Sequence, residues 1–380
     1  GWCVEFNSAR SSVEGHPLER GNKHHLLHRV QTMTKAPSST VQSRRILLTG
    51  ASSGIGYQAA VRMHRAGHQL ILPCRDRSTA TATLKKLSEE TVQHQQERSP
   101  VSAPVMDLAD LESIKHCADE LLSIGKPIDT LILNAGLQYT GAAKAQLSSQ
   151  GYELTIAVNH LGHQALSIRL LPLLDAGMSP RVVVTASEVH DSNSPGGRFG
   201  KPAGLGDLTG LKTGAGFEMI DGSSSFNADK AYKDSKLCNV LFARELARRL
   251  SLRSIQIPVL AWAPGLVIPR SSGGFFRYSR RYNEWGQRVF SLVVRDLLRI
   301  SESAENAGSL LSRLATDQSL NTSPFSYRSN RLDGPGQHRF EEANVSKEAQ
   351  DNNLAKSLWE VSAELIGLPT ELPPASVSQC

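Results

Sequence analysis

Short apolar runs alternate with longer amphipathic segments along most of the chain after residue 43. The short runs are typical of strands buried on both faces, and the amphipathic segments are typical of helices that cover them. This repeated strand–helix order predicts a Rossmann-type doubly wound parallel sheet in a single α/β domain. The predicted strands lie within residues 45–50, 68–74, 101–107, 129–136, 180–187 and 254–265, and the predicted helices span 55–65, 79–96, 111–124, 150–174, 230–250 and 352–366.

Two stretches interrupt this alternation. Residues 188–229 are rich in Gly, Ser and Asp, and residues 264–300 begin with Pro, Gly, Arg and several aromatic residues. Both leave the carboxyl end of a predicted strand, where doubly wound folds bind ligands. Because long loops in compact domains are commonly functional, we interpret both stretches as substrate loops, the second forming a lid.

The folded domain is expected to span residues 43–368. Residues 1–42 are expected to form a leader without fixed structure, and residues 369–380 a flexible tail. The chain begins with Gly and its first methionine is Met33, so the sequence leaves open whether residues 1–32 belong to the native protein.

Composition excludes several classes of partner. The chain has 42 Lys and Arg against 36 Asp and Glu, a formal charge of +6, and the two signs are interspersed, so no nucleic-acid partner is predicted. No apolar run reaches the roughly 18 residues of a transmembrane helix. The five cysteines form no CxxC pair, which is typical of a reducing compartment. His24, His25 and His28 lack further ligands nearby, and no metal site is predicted.

Three glycines follow the first predicted strand and open the first predicted helix. Gly50, Gly54 and Gly56 lie in the segment TGASSGIG. Glycines at such a turn let the backbone approach a pyrophosphate, and the helix N-terminus favours the phosphate charge. The segment therefore predicts a dinucleotide site.

A tyrosine and a lysine lie four residues apart in KAYKDSKLCN. Tyr232 and Lys236 should share one face of a helix. A phenol has an ordinary pKa near ~10, and a nearby cation favours the phenolate, which predicts a proton donor to an atom that receives hydride. The alternative is a chance pair on an amphipathic helix, which the glycine motif disfavours.

These two motifs together resemble the short-chain dehydrogenase/reductase family over about residues 44–368. The resemblance implies an oxidoreductase with a catalytic tetrad of Asn159, Ser187, Tyr232 and Lys236, in which Asn159 supports a proton relay and Ser187 orients the substrate or the tyrosine. The resemblance also implies cofactor contacts at Gly50, Ser52, Ser53, Gly54, Ile55, Gly56, Asp107, Leu108, Asn134, Ala135, Gly136, Tyr232, Lys236, Pro264 and Gly265.

The end of the second predicted strand indicates the cofactor. Relatives specific for NAD place an acid there, whereas this chain has Arg75, whose guanidinium suits a 2′-phosphate. We expect NADPH, the alternative being an ordinary surface arginine.

A narrower resemblance is to light-dependent protochlorophyllide reductases. It rests on residues 204–211, 219–222, 230–239 and 358–368, together with the insertion before Tyr232. It implies that NADPH delivers hydride to a ring double bond of a tetrapyrrole after light absorption, with Tyr232 as proton donor. Chlorophyll biosynthesis in photosynthesis would be the setting.

One residue departs from that pattern. The family usually has a cysteine after the Pro-Gly turn, and here the residue is Leu266. Two alternatives therefore stay open: a paralogue that reduces a carbonyl, or oxidises an alcohol, of another apolar compound, as retinol-type relatives do, and a non-catalytic NADPH-binding protein.

The predicted lid indicates an apolar small-molecule substrate. Leu266, Phe275, Phe276 and Tyr278 offer apolar and aromatic area, and neighbouring arginines suit carboxylates. The same composition would suit contact with an anionic membrane surface or an ordinary solvated loop. A homodimer through the helices at 150–174 and 230–250 is a further alternative. The resemblance places the protein in the cytoplasm of a bacterium, with thylakoid contact, or in the chloroplast of a eukaryote.

Overall fold

The computed structural model describes residues 42–92, 99–267, 301–334 and 337–373. Eight strands form one sheet in this part of the chain. They are β1 Arg45–Leu48, β2 Gln69–Ile71, β3 Val101–Ser102, β4 Thr130–Leu133, β5 Arg181–Thr185, β6 Val259–Ala263, β7 Phe325–Gly334 and β8 Gln337–Glu342.

The strand order across the sheet is β3-β2-β1-β4-β5-β6-β7-β8. Neighbouring strands are parallel from β3 to β7, and β8 joins β7 as an antiparallel edge strand. The order reverses between β1 and β4, the switch point at which doubly wound sheets bind ligands.

Helices cover both faces of the sheet. They are α1 Gly54–Arg65, α2 Arg77–Thr91, α3 Leu111–Ile124, α4 Leu154–Ile156, α5 Gly162–Asp175, α6 Thr209–Lys212, α7 Ala228–Leu252, α8 Ala304–Thr316 and α9 Asn352–Leu365. A π-helical turn, Ala157–Leu161, joins α4 to α5.

Two apolar clusters form the core, one on each face. Successive strand residues alternate between them: Ile46 and Leu48 pack with α1, α2 and α8, whereas Leu47 packs with α3, α5, α7 and α9. This alternation follows from the period of two in a strand, and it explains why the parallel strands read as continuous apolar runs.

The predicted fold class is confirmed, and all six predicted strands are present. The helix predicted at 150–174 begins later, at Leu154, where Glu153 accepts hydrogen bonds from the N–H groups of Thr155 and Ile156. The sequence did not predict β7, β8 or α8. Both added strands are rich in polar residues, so they lack the apolar run by which a buried strand is recognised.

Among the described residues, no helix is both long and apolar enough to cross a bilayer. Nor do three or more His, Cys, Asp or Glu side chains in these ranges gather where a metal ion could be held. Cys74, Cys117 and Cys238 are buried free thiols.

Candidate active site

The glycine turn between β1 and α1 forms a cradle that side chains would fill. Gly50 has φ +74°, and a Cβ there would lie 2.8 Å from the Cα of Ala135. A Cβ on Gly56 would lie 2.2 Å from the carbonyl oxygen of Gly50. Gly54, at φ +57°, faces open space. The turn is thus packed against backbone at Gly50 and Gly56 and open to solvent at Gly54, which leaves room for a pyrophosphate beside it. Ser52 is exposed at its rim, and Ser53 occupies the N-cap position of α1 without a side-chain capping bond; Ile55 follows inside the helix.

Thr49, directly before this turn, joins it to the loop after β4. Its hydroxyl oxygen accepts hydrogen bonds from the N–H groups of Asn134 (2.9 Å) and Ala135 (3.0 Å). The Asn134 amide in turn donates to the Thr49 carbonyl at 3.2 Å. Thr49 was not predicted as a site residue. Its position immediately before a glycine turn is the signal that could have identified it.

His163 connects Thr49 to the predicted tetrad residue Asn159. Its Nδ1 lies 3.1 Å from the Asn159 carbonyl oxygen, and its Nε2 lies 3.0 Å from the Thr49 hydroxyl. Because a carbonyl oxygen only accepts, we assign the proton to Nδ1, which leaves Nε2 to accept from Thr49. Burial lowers the pKa of His163 to about 4, so the ring is neutral at pH 7.

Asn159 is fully buried and links the loop after β4 to α7 by hydrogen bonds. Its Oδ1 accepts from the Leu137 N–H at 2.9 Å, and its Nδ2 donates to the Leu137 carbonyl and to the Ser235 hydroxyl, both at 3.0 Å. Gly136 lies close by, since a Cβ there would be 3.4 Å from Asn159 Oδ1 and 3.6 Å from Lys236 Nζ. Asn159, Gly136 and Lys236 therefore meet at one point.

Tyr232 and Lys236 lie in the first turns of α7, which begins at the N-cap Asn227. The Lys236 ammonium lies 5.6 Å from the Tyr232 ring centroid and donates to the Thr185 carbonyl at 3.2 Å. Ser187, two residues beyond β5, makes a side-chain hydrogen bond to Tyr232. The structure therefore brings the four predicted tetrad residues together at the carboxyl edge of the sheet.

The predicted lowering of the Tyr232 pKa is wrong for this arrangement. Burial raises the pKa of Tyr232, the hydrogen bond to Ser187 lowers it in part, and Asp229 raises it further. Burial also lowers the pKa of Lys236, to about 8. Burial disfavours both charged forms and is the largest influence on the pKa of each group.

The Pro264–Gly265 turn, which follows β6, is held by residues that the sequence did not predict. Gly265 has φ +81°. The Asn330 amide donates to the Pro264 carbonyl at 3.1 Å and to Glu302 Oε2 at 2.8 Å. Leu266, the next residue, is 40% exposed. Because it is a leucine, it offers no thiol at this position.

A cavity of about 510 Å³ shares Glu302 with this turn, and no tetrad residue lines it. Its lining residues are Glu302, Asn306, Asp333, Gln337, His338 and Arg339.

The side chains predicted to hold the adenosine end lie past β2 and near β3. The Arg75 guanidinium is exposed, but its Nε already pairs with Asp76 Oδ2 at 3.0 Å. Asp107 Oδ1 accepts from the Ala109 N–H at 2.9 Å, and Leu108 packs into the core. A phosphate at Arg75 would therefore have to compete with a neighbouring carboxylate.

The remaining predicted lid residues, Phe275, Phe276 and Tyr278, lie outside the described residues.

Comparison with known proteins adds to this geometry. The family model for short chain dehydrogenase matches residues 44–198. Protochlorophyllide reductase A, chloroplastic, of Oryza sativa subsp. japonica is 31% identical over 340 residues, covering 87% of this chain and 82% of that protein. Protochlorophyllide reductase of Avena sativa is 30% identical over 85% of this chain and 99% of its own length.

Solved structures share the fold. An uncharacterised protein from Mycobacterium paratuberculosis superposes with a TM-score of 0.60 at 25% identity, covering 87% of this chain and 95% of that one. The Pseudomonas aeruginosa RhlG/NADP active-site complex gives a TM-score of 0.55 at 21% identity, covering 78% and 98%.

Proposed function

The chain belongs to the short-chain dehydrogenase family and is an NADPH-dependent oxidoreductase, and from this premise we propose that it reduces a ring double bond of protochlorophyllide or a closely related tetrapyrrole. The observation that carries the proposal is the meeting of a glycine cradle with Tyr232, Ser187 and Lys236 at one sheet edge. The similarity to protochlorophyllide reductases supports the substrate class, because it covers 87% of the chain and so continues well past the part that the general family model matches.

The residues present fit NADPH. Gly50, Gly54 and Gly56 form the cradle for its pyrophosphate, with Ser52, Ser53 and Ile55 at the start of α1. Arg75 would hold the 2′-phosphate, Asp107 and Leu108 would border the adenine, and Lys236 would hold the nicotinamide ribose. Asn134, Ala135, Gly136, Pro264 and Gly265 would line the nicotinamide end. When bound, NADPH supplies the hydride.

The side chains of this protein then supply the proton. Because its pKa is raised, the Tyr232 phenol is protonated at neutral pH. It can donate its proton to the second carbon of the double bond, the one that does not receive the hydride. The hydrogen bond to Ser187 favours the phenolate that remains. Lys236 stays largely charged at pH 7 and adds a positive field at that oxygen.

Leu266 supports a second candidate function. A leucine can neither donate a proton nor bind through sulfur, so a site with Leu266 next to the Pro264–Gly265 turn suits a carbonyl or alcohol of another apolar compound equally well. On either candidate the substrate is a small apolar molecule, and Tyr232 donates the proton in the direction of reduction. Following the names of its relatives, we place the protein in a chloroplast.

The test uses the purified chain with NADPH and protochlorophyllide, kept in the dark and then exposed to a single flash. The proposal expects the pigment absorption to shift to that of the reduced ring only after the flash. Oxidation of NADPH by apolar ketones in the dark, with unchanged pigment, would instead support the second candidate. Binding of NADPH without turnover of either substrate class would contradict both.

A further inference from the structure

Two lysines flank Tyr232 in sequence and take no part in the proposed chemistry. Lys230 is 9% exposed and Lys233 is 3% exposed. A buried ammonium is costly unless acceptors satisfy its three N–H groups. The hydrogen-bond partners of these two lysines therefore identify the segment that packs against this part of α7.

The Lys233 ammonium lies in a cage of backbone carbonyls from the 188–229 insertion. It donates to the carbonyl oxygens of Gly197 (3.3 Å), Phe199 and Lys201 (3.2 Å). Asp229 Oδ2, one helical turn before it, lies 3.3 Å away. Three N–H groups thus meet three carbonyls of one short loop.

The Lys230 ammonium and the Asp234 carboxylate bind the next part of the same loop by hydrogen bonds. Lys230 donates to the Gly204 carbonyl at 2.7 Å and pairs with Asp234 at 2.6 Å and Asp221 at 3.0 Å. Asp234 also accepts from the Gly204 N–H at 2.9 Å. Both polar groups of Gly204 are therefore bound to α7.

These contacts occupy the side of α7 that faces away from Tyr232. At about 100° per residue, Lys230, Lys233 and Asp234 lie within an arc of about 100°. Tyr232 lies about 150° and Lys236 about 110° from the centre of that arc. Residues 197–204 are thus docked on the back of the helix whose front carries Tyr232 and Lys236.

We propose that Lys233, supported by Lys230, is a positioning residue: it clamps residues 197–204 against the back of α7 and so fixes the rotation that directs Tyr232 and Lys236 toward the glycine cradle. The roles of Tyr232 and Lys236 in this statement rest on the proposed function. On this proposal, part of the insertion stabilises the position of α7, a role separate from the substrate contact predicted for it.

The test replaces Lys233 by alanine and restores the lost atoms from solution. Lys233→Ala removes three methylene groups and the ammonium, which n-propylammonium supplies, whereas tetramethylammonium has the charge without N–H groups. Hydrogen exchange of residues 197–204 and 231–236 should rise about tenfold in the variant, and turnover should fall about tenfold or more. n-Propylammonium should reverse both changes and tetramethylammonium should reverse neither. Lys212→Ala, which changes an exposed lysine of the same insertion, should alter neither.

Two results would overturn the proposal. One is unchanged hydrogen exchange in Lys233→Ala; the other is faster exchange at 197–204 with unchanged exchange at 231–236 and full turnover. If Lys233→Ala does not fold, Lys233→Met, which keeps an apolar stem, gives the same comparison of hydrogen exchange and turnover without the rescue step. Hydrogen exchange needs no substrate. A wild-type chain without turnover would therefore refute the proposed function, while the exchange measurements would still test whether Lys233 holds residues 197–204 against α7.

Discussion

At the scale of single residues, Tyr232 shows how burial and hydrogen bonding have opposite effects on the pKa of the proposed proton donor. Burial keeps the phenol protonated, and Ser187 favours the anion that forms when the proton leaves. The hydroxyl is the only group that Tyr232→Phe removes. The variant should therefore keep NADPH affinity, measured by fluorescence titration, and lose turnover by about 10²–10⁴-fold.

Tyr152→Phe is the matched control for this change. The Tyr152 hydroxyl donates to the Leu365 carbonyl at 2.9 Å, away from the tetrad, so its loss should leave turnover close to that of the wild type. Equal turnover in Tyr232→Phe would remove Tyr232 from the mechanism.

Lys236 predicts a pH dependence. Burial lowers its pKa to about 8, so the ammonium is charged below this pH and neutral above it. Because kcat/KM reports the free enzyme, it should fall about tenfold per pH unit above pH ~8. Lys236→Arg keeps its charge throughout this range and should give a lower but flat profile. A wild-type profile that is flat to pH 10 would contradict the role of the ammonium.

The motifs predicted four residues that the structure brings together, but they missed the residues that hold these four in place. Tyr232 and Lys236 are recognisable because their spacing is itself the chemical requirement. Thr49, His163 and Asn330 lie far apart in sequence and act by hydrogen bonds that exist only after the strands are paired. Arg75 shows the converse: the sequence predicts a phosphate contact, and the structure shows that the guanidinium also has a neighbouring carboxylate partner.

At the scale of elements, the glycine turn between β1 and α1 predicts two different outcomes for similar substitutions. A Cβ on Gly56 would lie 2.2 Å from the Gly50 carbonyl oxygen, whereas one on Gly54 would meet nothing within 4 Å. Gly56→Ala should abolish NADPH binding because the turn must open. Gly54→Ala should lose only about 1 kcal/mol of stability, from its positive φ.

The readouts for this pair are NADPH titration and urea unfolding. If Gly56→Ala bound NADPH as tightly as the wild type, the cradle would not be the pyrophosphate site.

Element boundaries were predictable where local chemistry sets them. Helix α3 ends at Ile124, as predicted, because Gly125 adopts φ +66°. The strands β7 and β8 were not predictable from their composition, because both are rich in polar residues. They form because β7 pairs with β6 and β8 pairs with β7.

At the scale of the whole molecule, α9 covers the helices through which the alternative of a homodimer would form. Trp359 stacks on Phe242 of α7 at 5.8 Å between ring centroids, and its carbonyl accepts from Gln164 of α5 at 3.1 Å. Ser362 bonds His160 beside α5 at 2.8 Å. The apolar faces of α5 and α7 are thus already buried within one chain.

We therefore expect light scattering to give the mass of a single 41.3 kDa chain at micromolar concentration. A dimer whose interface, mapped by hydrogen exchange, includes α5 or α7 would contradict this expectation. A dimer through another surface would contradict the expected mass but not the burial of α5 and α7 within one chain.

The sequence by itself determined the α/β class, the glycine turn and the tyrosine–lysine pair, because periodicity, turn chemistry and helical spacing are local properties. Tertiary structure alone decided the raised pKa of Tyr232, the eighth strand, the cover over α5 and α7, and the docking of residues 197–204 behind Tyr232. Each of these depends on burial or on contacts between distant segments, and the low dielectric and the partners that they require arise only when the chain has folded.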